Sequence, residues 1–214
     1  SDREFFFGRE AEVERVWTRL ESAHLLAVVG ASGVGKSSFL GAGVIPARPE
    51  GWGALRCTPG ADVMASLRRT VEEESGAAIA AGDDDALVAA FTSWRLRHDQ
   101  ALLVVDQFEE VFTQNAEEEQ RRVSALIGRL VLDADVHVLV SLRDDFLLRC
   151  HEHAELAPVF SELTPLGPLA GAALRRAFEE PARTAGFRFE EGLLDGMLAA
   201  VEGERGALPL LAFA

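Results

Sequence analysis

One stretch constrains the fold of this chain more than any other: Gly30-Ala-Ser-Gly-Val-Gly35-Lys36-Ser37, which has the form G-x-x-x-x-G-K-S. The apolar run at 25–29 before it is typical of a strand buried on both faces, and residues 37–45 after it are apolar enough to begin a helix. A strand, a glycine-rich turn and a helix form the setting in which such a loop binds phosphate. The sequence therefore predicts an α/β fold with a nucleotide site at this loop.

Each residue type in the loop has a chemical reason to be there. Glycines let successive backbone N–H groups turn inward around anionic oxygens, and the following helix adds its positive end. Lys36 is expected to neutralise the β- and γ-phosphates, Ser37 to place its hydroxyl on Mg²⁺, and Ser38 to contact the α-phosphate. The predicted contacts within this loop are Gly30, Ser32, Gly33, Val34, Gly35, Lys36, Ser37 and Ser38.

Composition supports the assignment of Lys36. The chain has 21 basic residues, and Lys36 is its only lysine. A compact ammonium on a flexible stem suits this position better than the planar fork of arginine. We therefore interpret Lys36 as a functional residue rather than as a surface lysine.

A phosphate loop also needs an acid for the metal at the end of a neighbouring buried strand. The segment "LLVVDQFEE" supplies Asp106 in that setting, followed by Glu109 and Glu110. Asp106 is predicted to hold Mg²⁺ together with Ser37. Either glutamate could orient or activate the attacking water; Glu109 is preferred, and the other would serve as an acid at a helix N-terminus.

A further charged group ends another predicted strand, at "VSLRDDF". Arg143 stands where a parallel sheet presents its ligand-binding groups, so it could distinguish ATP from ADP through the γ-phosphate. Pairing of Arg143 with Asp144 or Asp145 is the competing structural explanation.

Charge and cysteine content limit the partners and the compartment. The formal net charge of −14 disfavours direct binding to nucleic acid or to anionic lipid. Two cysteines far apart, Cys57 and Cys150, fit a reducing compartment, so a cytoplasmic location is expected. No apolar run approaches eighteen residues, which predicts a protein without a membrane span. The start "SDREFFFGRE" lacks Met, and the chain is expected to be an excised fragment.

The order of elements divides the chain in two. Strands alternate with helices up to about Gly167, and only helical patterns follow. We therefore expect a nucleotide-binding domain at 1–166 and a small, incomplete helical domain at 167–214.

Five segments, taken in order, resemble a known family. They are "FFGREAEVERV", "VVGASGVGKSSFL", "LLVVDQFEEVF", "VLVSLRDDFL" and "GERGALPLLAF". Together they resemble the STAND class of signal-transduction P-loop ATPases, in particular the bacterial subgroup whose Walker B segment reads DQFEE. The chain is similar, more distantly, to the NACHT and NB-ARC ATPases.

The resemblance implies a three-layer α/β domain of the AAA+ type with strand order 5-1-4-3-2, followed by a small helical domain. It places Phe7, Gly8 and Arg9 near the adenine. It makes Arg143 a sensor of the nucleotide. It also implies that Pro209 packs against the base, although Ala207 replaces the usual glycine two residues earlier. The winged-helix and sensor regions of such proteins would lie beyond residue 214.

Three functions remain open from the sequence. The first is a switch that holds ADP at rest, oligomerises with ATP and resets by slow hydrolysis, with effector and sensor domains in the same parent chain. The second is an AAA+ motor or loader with continuous turnover. The third is a scaffold that binds nucleotide without cleaving it.

Overall fold

The computed structural model describes residues 5–76, 78–160 and 162–201. A five-stranded sheet with spatial order β2-β3-β4-β1-β5 forms its centre, and all neighbouring strands are parallel. The predicted α/β fold and the order 5-1-4-3-2, which is the same order counted from the other edge, are confirmed. The strands are β1 (Leu25–Val29), β2 (Trp52–Cys57), β3 (Gln100–Val105), β4 (His137–Leu142) and β5 (Leu163–Pro165).

Helices connect the strands and follow them. The helix after the phosphate loop, α2, begins as an α-helix at Lys36–Ser38, continues as a π-helical turn at Phe39–Val44 and ends as a 3-10 turn at Ile45–Ala47. Two 3-10 segments, Asp144–Glu152 and Ala154–Phe160, lie between β4 and β5. The other helices are α1 (Glu10–Leu20), α3 (Val63–Ser75), α4 (Asp84–Arg95), α5 (Glu109–Gln114), α6 (Glu117–Leu132), α7 (Gly171–Thr184) and α8 (Leu193–Val201).

Apolar side chains on both faces of the sheet create three layers. Every residue of β1 is buried, and its alternate side chains enter different cores. Leu26 and Val28 pack with Phe39 and Leu40 of α2 and with α1, whereas the opposite core includes Phe91 of α4 and the apolar face of α6. Burial on both faces explains why the strands are continuous apolar runs.

The parallel topology brings the predicted site together. Gly30, Asp106 and Arg143 each follow the last residue of a strand, β1, β3 and β4 respectively. Because parallel strands end at the same edge of a sheet, these residues share the carboxyl edge, where ligands bind in open α/β sheets. The amino edge carries a different cluster, in which the rings of His24 and His137 stack with centroids 4.1 Å apart.

Within the described ranges, no helix combines the length and apolar character that crossing a membrane requires.

Candidate nucleotide site

The phosphate loop has the backbone geometry of an anion cradle. Gly33 and Gly35 adopt φ values of 76° and 92°, which side chains disfavour, and the helix begins directly afterwards at Lys36. Gly30 donates its N–H to Leu142 O at 3.2 Å, and a Cβ at Gly30 would collide with the carbonyl oxygen of Leu166. The glycines therefore fit a loop whose N–H groups face an anion.

Around this backbone, the predicted side chains differ in exposure. Ser32 and Ser38 are exposed, Ser37 is half-buried, and Val34 is buried in the core beside α1 and α2. Val34 thus contributes to the loop through its backbone rather than through its side chain.

Lys36 is held inside the loop. Its side chain is only 8% exposed, and Nζ donates to Gly30 O at 2.7 Å and to Ala31 O at 3.1 Å. Burial lowers the pKa of Lys36, while the negative charge of Glu109 opposes that shift most strongly. The ammonium thus lies at the phosphate loop with a carboxylate close by.

Asp106 is buried and ionised at the end of β3. Its carboxylate is 1% exposed; Oδ1 accepts hydrogen bonds from Ser141 Oγ at 2.5 Å and from the Gln107 N–H at 3.0 Å. Oδ2 accepts from Arg56 Nη2 at 2.6 Å. Burial alone would raise the pKa of Asp106, but hydrogen bonds from Ser141, Arg56 and Ser37 outweigh it and lower the pKa. Ser37 is thus close enough to Asp106 to lower the pKa of its carboxyl, so the two predicted Mg²⁺ ligands are neighbours.

A backbone turn after Asp106 orients the two glutamates. Gln107 adopts a left-handed φ of 57°, and its N–H also donates to Ser141 Oγ at 2.8 Å. Phe108 is fully buried, and Phe108 N–H donates to Ser141 O. As a result, Glu109 becomes the first residue of α5 at the carboxyl edge.

The two glutamates have different surroundings. Glu110 Oε2 accepts a hydrogen bond from the backbone N–H of Gly60 at 2.9 Å, so this carboxylate stabilises the turn after β2. Glu109 Oε2 is buried and has no hydrogen-bond partner among the described residues. A buried carboxylate oxygen that accepts no hydrogen bond destabilises the folded protein unless a ligand or a water molecule donates one. This difference favours Glu109 as the residue that faces the nucleotide.

Arg143 lies at the same edge but is engaged elsewhere. Its guanidinium donates twice to Asp145, through Nε at 3.0 Å and Nη2 at 2.7 Å, and lies 5.4 Å from the centroid of Phe146. Hydrogen bonds from Arg143 to Asp145 raise the pKa of Arg143. The pairing that the sequence left open is present, yet Arg143 is close enough to Lys36 to act on the Lys36 pKa.

The segment Phe7-Gly8-Arg9 connects the loop to the chain beyond β5. Arg9 is 5% exposed; its Nη2 donates to Gly167 O at 2.7 Å and to Val34 O at 3.3 Å. Gly8 has a φ of 89°, and a Cβ there would lie 2.5 Å from the carbonyl oxygen of Ala173 in α7. Phe7 is half-buried. Arg9 therefore contacts the backbone of the loop, which its sequence position does not predict.

Pro209 and Ala207 lie outside the described residues, so the predicted contact of Pro209 with the base stays a prediction.

The sequence does not predict three of the site residues. Ser141 offered a weak signal, because it is a polar residue inside the apolar strand "HVLVSL". Gln107 and Arg56 offered none that could be separated from ordinary surface positions. Their roles depend on a left-handed turn and on the adjacency of β2 and β3, which only the fold reveals.

The residues present fit a nucleotide with Mg²⁺. Ser37 and Asp106 supply oxygen atoms, the ligand type that Mg²⁺ prefers, and the loop supplies N–H donors for phosphate. No group of three or more His, Cys, Asp or Glu side chains that could hold a metal occurs within the described ranges. Mg²⁺ binding through one or two protein ligands plus phosphate oxygens needs no such group.

Solved structures share this fold. A Walker-type ATPase of Pyrococcus abyssi superposes with a TM-score of 0.65 at 15% identity, covering 94% of this chain and 64% of that one. A DNA replication initiation factor superposes with a TM-score of 0.60 at 14% identity, covering 96% of this chain and 60% of that one. AMPPCP-bound DnaA from Aquifex aeolicus gives 0.58 at 15% identity, with coverage of 94% and 58%. The chain thus spans less than two thirds of each neighbour, and the likeness concerns the fold.

Among curated proteins, no sequence matches this chain. The sequence profile described as Novel STAND NTPase 1, in contrast, matches residues 1–214. That match covers the phosphate loop, the DQFEE segment and the arginine after β4, all of which the fold gathers at one edge. The chain is a nucleotide-binding P-loop NTPase module and belongs to the Novel STAND NTPase 1 family.

Proposed function

We propose that this module is a nucleotide-operated switch that holds ADP at rest, adopts an oligomeric state with ATP and resets by slow, Mg²⁺-dependent hydrolysis. The observation that carries this proposal is the double hydrogen bond of Arg9. Its guanidinium joins Val34 O in the phosphate loop to Gly167 O, where the chain leaves the sheet for α7. A displacement of the loop on nucleotide exchange therefore reaches the helical segment directly.

The hydrolytic chemistry follows from the charges at the carboxyl edge. Bound Mg²⁺ would be held by Ser37 and Asp106 and would neutralise phosphate charge. Lys36 faces the β- and γ-phosphates, and Glu109 orients the attacking water through its unpartnered Oε2. Glu110 keeps its structural bond to Gly60.

The pairing of Arg143 supports state dependence. The exposed ion pair of Arg143 with Asp145 contributes little to stability. Arg143 can therefore leave Asp145 and bind a γ-phosphate with only a small loss of free energy. A ligand shifts an equilibrium only through different affinities for two states. If the γ-phosphate of ATP binds Arg143 in place of Asp145, ATP and ADP differ in their affinity for the two states.

The division at residue 167 belongs to the same proposal. Residues 1–166 form the nucleotide-binding domain, and 167–214 form part of a small helical domain that follows the nucleotide state. Bonds across this division, from Arg9 to Gly167 and from Arg176 to Glu10, support such communication. Pro209 would complete the contact with the base.

We place the module in a bacterial signalling or defence protein with effector and sensor domains in the same chain. A reducing cytoplasm suits the free thiols of Cys57 and Cys150, both of which are buried. Self-association with ATP and binding of nucleotide, rather than of nucleic acid or membrane, are the proposed interactions.

A motor or loader is the second candidate, favoured by the likeness of the fold to a DNA replication initiation factor. Its DNA-binding form conflicts with the net charge of −14, because binding to phosphate needs clustered basic residues. A scaffold without hydrolysis is the third. Equal, background turnover in the unaltered chain and in the Glu109→Gln, Glu110→Gln double variant would favour the scaffold.

The experiment that tests the switch measures molar mass by light scattering after size exclusion, with ADP or with ATP and Mg²⁺. The Glu109→Gln variant traps ATP, and Glu110→Gln is its matched control. We expect the trapped ATP complex to be oligomeric and every ADP complex to be monomeric. Monomers in all samples, together with rapid turnover by the unaltered chain, would contradict the switch.

A further inference from the structure

Arg56 is a basic residue beside Asp106, one of the two predicted Mg²⁺ ligands. It lies on β2, next to β3, with Cys57 paired to Val105 one residue before Asp106. Its Nη2 lies 2.6 Å from Asp106 Oδ2, and its side chain is 38% exposed, against 1% for Asp106. One member of this ion pair is thus fixed and buried, whereas the other can move toward solvent.

The bonds to Asp106 leave few positions for a cation. Oδ1 is already occupied by Ser141 Oγ and by the Gln107 N–H. Oδ2 therefore has more room for a divalent ion than Oδ1, and Arg56 donates to Oδ2. A guanidinium and Mg²⁺ at one oxygen repel each other.

The helix after the phosphate loop leaves space for this arginine. A Cβ at Gly41 would lie 2.5 Å from Arg56 Nη1. Gly41 is in the π-helical turn of α2, four residues after Ser37, so the guanidinium lies between the loop helix and Asp106. A side chain at position 41 would require the Arg56 guanidinium to shift.

We propose that Arg56 is a positioning residue that competes with Mg²⁺ for Asp106 Oδ2, so that the nucleotide complex takes up the metal only when Arg56 leaves that oxygen. This inference rests on the proposed nucleotide function. Arg56 acts through Asp106, and the competition weakens Mg²⁺ binding. It therefore raises the Mg²⁺ concentration that the nucleotide complex needs before it can hydrolyse ATP.

Removing the positive charge is expected to tighten Mg²⁺ binding. A partly exposed ion pair of this kind is worth about a factor of five in an equilibrium constant. The Mg²⁺ concentration at half-saturation should therefore fall about fivefold in Arg56→Gln. Arg56→Lys keeps the charge and should stay within about twofold of the unaltered chain.

The test uses a fluorescent N-methylanthraniloyl-ADP bound in EDTA, into which Mg²⁺ is titrated while fluorescence is recorded. The matched control is Arg121→Gln, which removes an exposed arginine of α6 paired with Glu117. The same titration in an Asp106→Asn background shows whether Arg56 acts through Asp106. Thermal melting identifies which variants are folded.

A fivefold lower midpoint in Arg56→Gln, no change in Arg121→Gln and no effect of Arg56→Gln in the Asp106→Asn background would support the inference. An unchanged or higher midpoint in folded Arg56→Gln would overturn it while leaving the nucleotide function intact. If Arg56→Gln does not fold, a midpoint lowered about fivefold in Arg56→Lys would overturn it equally. Failure of the unaltered chain to bind the ADP analogue would overturn the proposed function itself.

Discussion

Acid should destabilise this protein through His137, at the edge of the sheet opposite the nucleotide site. The side chain of His137 is 5% exposed, stacks on His24 and contacts the ring of Trp52 at 4.8 Å. Its Nδ1 is buried without a hydrogen-bond partner among the described residues. Burial, helped by the nearby His24, lowers the pKa of His137 to about 4, while Asp135 opposes the shift.

The magnitude follows from the two pKa values. An unfolded histidine has a pKa of about 6.5, so between about 6.5 and 4 the unfolded chain binds a proton that the folded chain does not. The free energy of unfolding therefore falls as pH falls. The loss due to His137 is about 2 kcal/mol at pH 5 and about 3 kcal/mol at pH 4, relative to pH 7.5 and above.

The assay is urea unfolding across that pH range, followed by circular dichroism. His137→Phe keeps a stacked ring and cannot titrate, so its loss of stability at pH 5 should be smaller by about 2 kcal/mol. Parallel pH curves for the unaltered chain and His137→Phe would refute the reasoning.

Other predictions concern the site. Glu109→Gln should lower the slow ATP turnover to the rate measured without protein while ADP affinity is kept. Glu110→Gln should keep turnover and lose about 1 kcal/mol in urea unfolding, because a neutral amide oxygen is a weaker acceptor for the Gly60 N–H than a carboxylate. Gly30→Ala should abolish ADP binding in calorimetry, since its Cβ collides with Leu166 O; binding equal to that of the unaltered chain would contradict this. Acetic anhydride should modify Lys36, the only lysine, more slowly with ADP bound, as measured by mass spectrometry; equal rates would place the nucleotide elsewhere.

Much of the fold could be predicted because strands buried on both faces are unambiguous in sequence. The run 25–29 coincides with β1, and "QALLVV" coincides with β3. The segments 61–74 and 84–97 have the apolar periodicity of helices, and they overlap α3 and α4. The order of the strands came from the resemblance, since local periodicity carries no information on which strands become neighbours.

The connections were harder to predict. After β4 the chain forms two 3-10 segments, in which Cys150 and Leu156 are buried. No periodic apolar pattern in the sequence predicts these segments. The turn at Gln107 requires a left-handed φ at a residue that rarely adopts one. Such features are imposed by tertiary packing, here by the buried ring of Phe108.

Within the site, sequence order alone identified the groups but not their partners. Glu109 and Glu110 look equivalent in "DQFEE", and they differ only because the turn at Gly60 lies beside Glu110. Arg56 is 50 residues from Asp106 in sequence, so only the pairing of β2 with β3 brings them together.

The proposed switch requires a lysine-dependent site that retains nucleotide and turns it over slowly. The most direct measurement denatures the purified protein beside its Lys36→Ala variant, identifies released nucleotide by anion exchange, and follows phosphate release after ATP and Mg²⁺ are added. We predict retained ADP and turnover near background in the unaltered chain, with both lost in Lys36→Ala. A site without retained nucleotide and rapid, lysine-dependent turnover would contradict the switch and favour the motor.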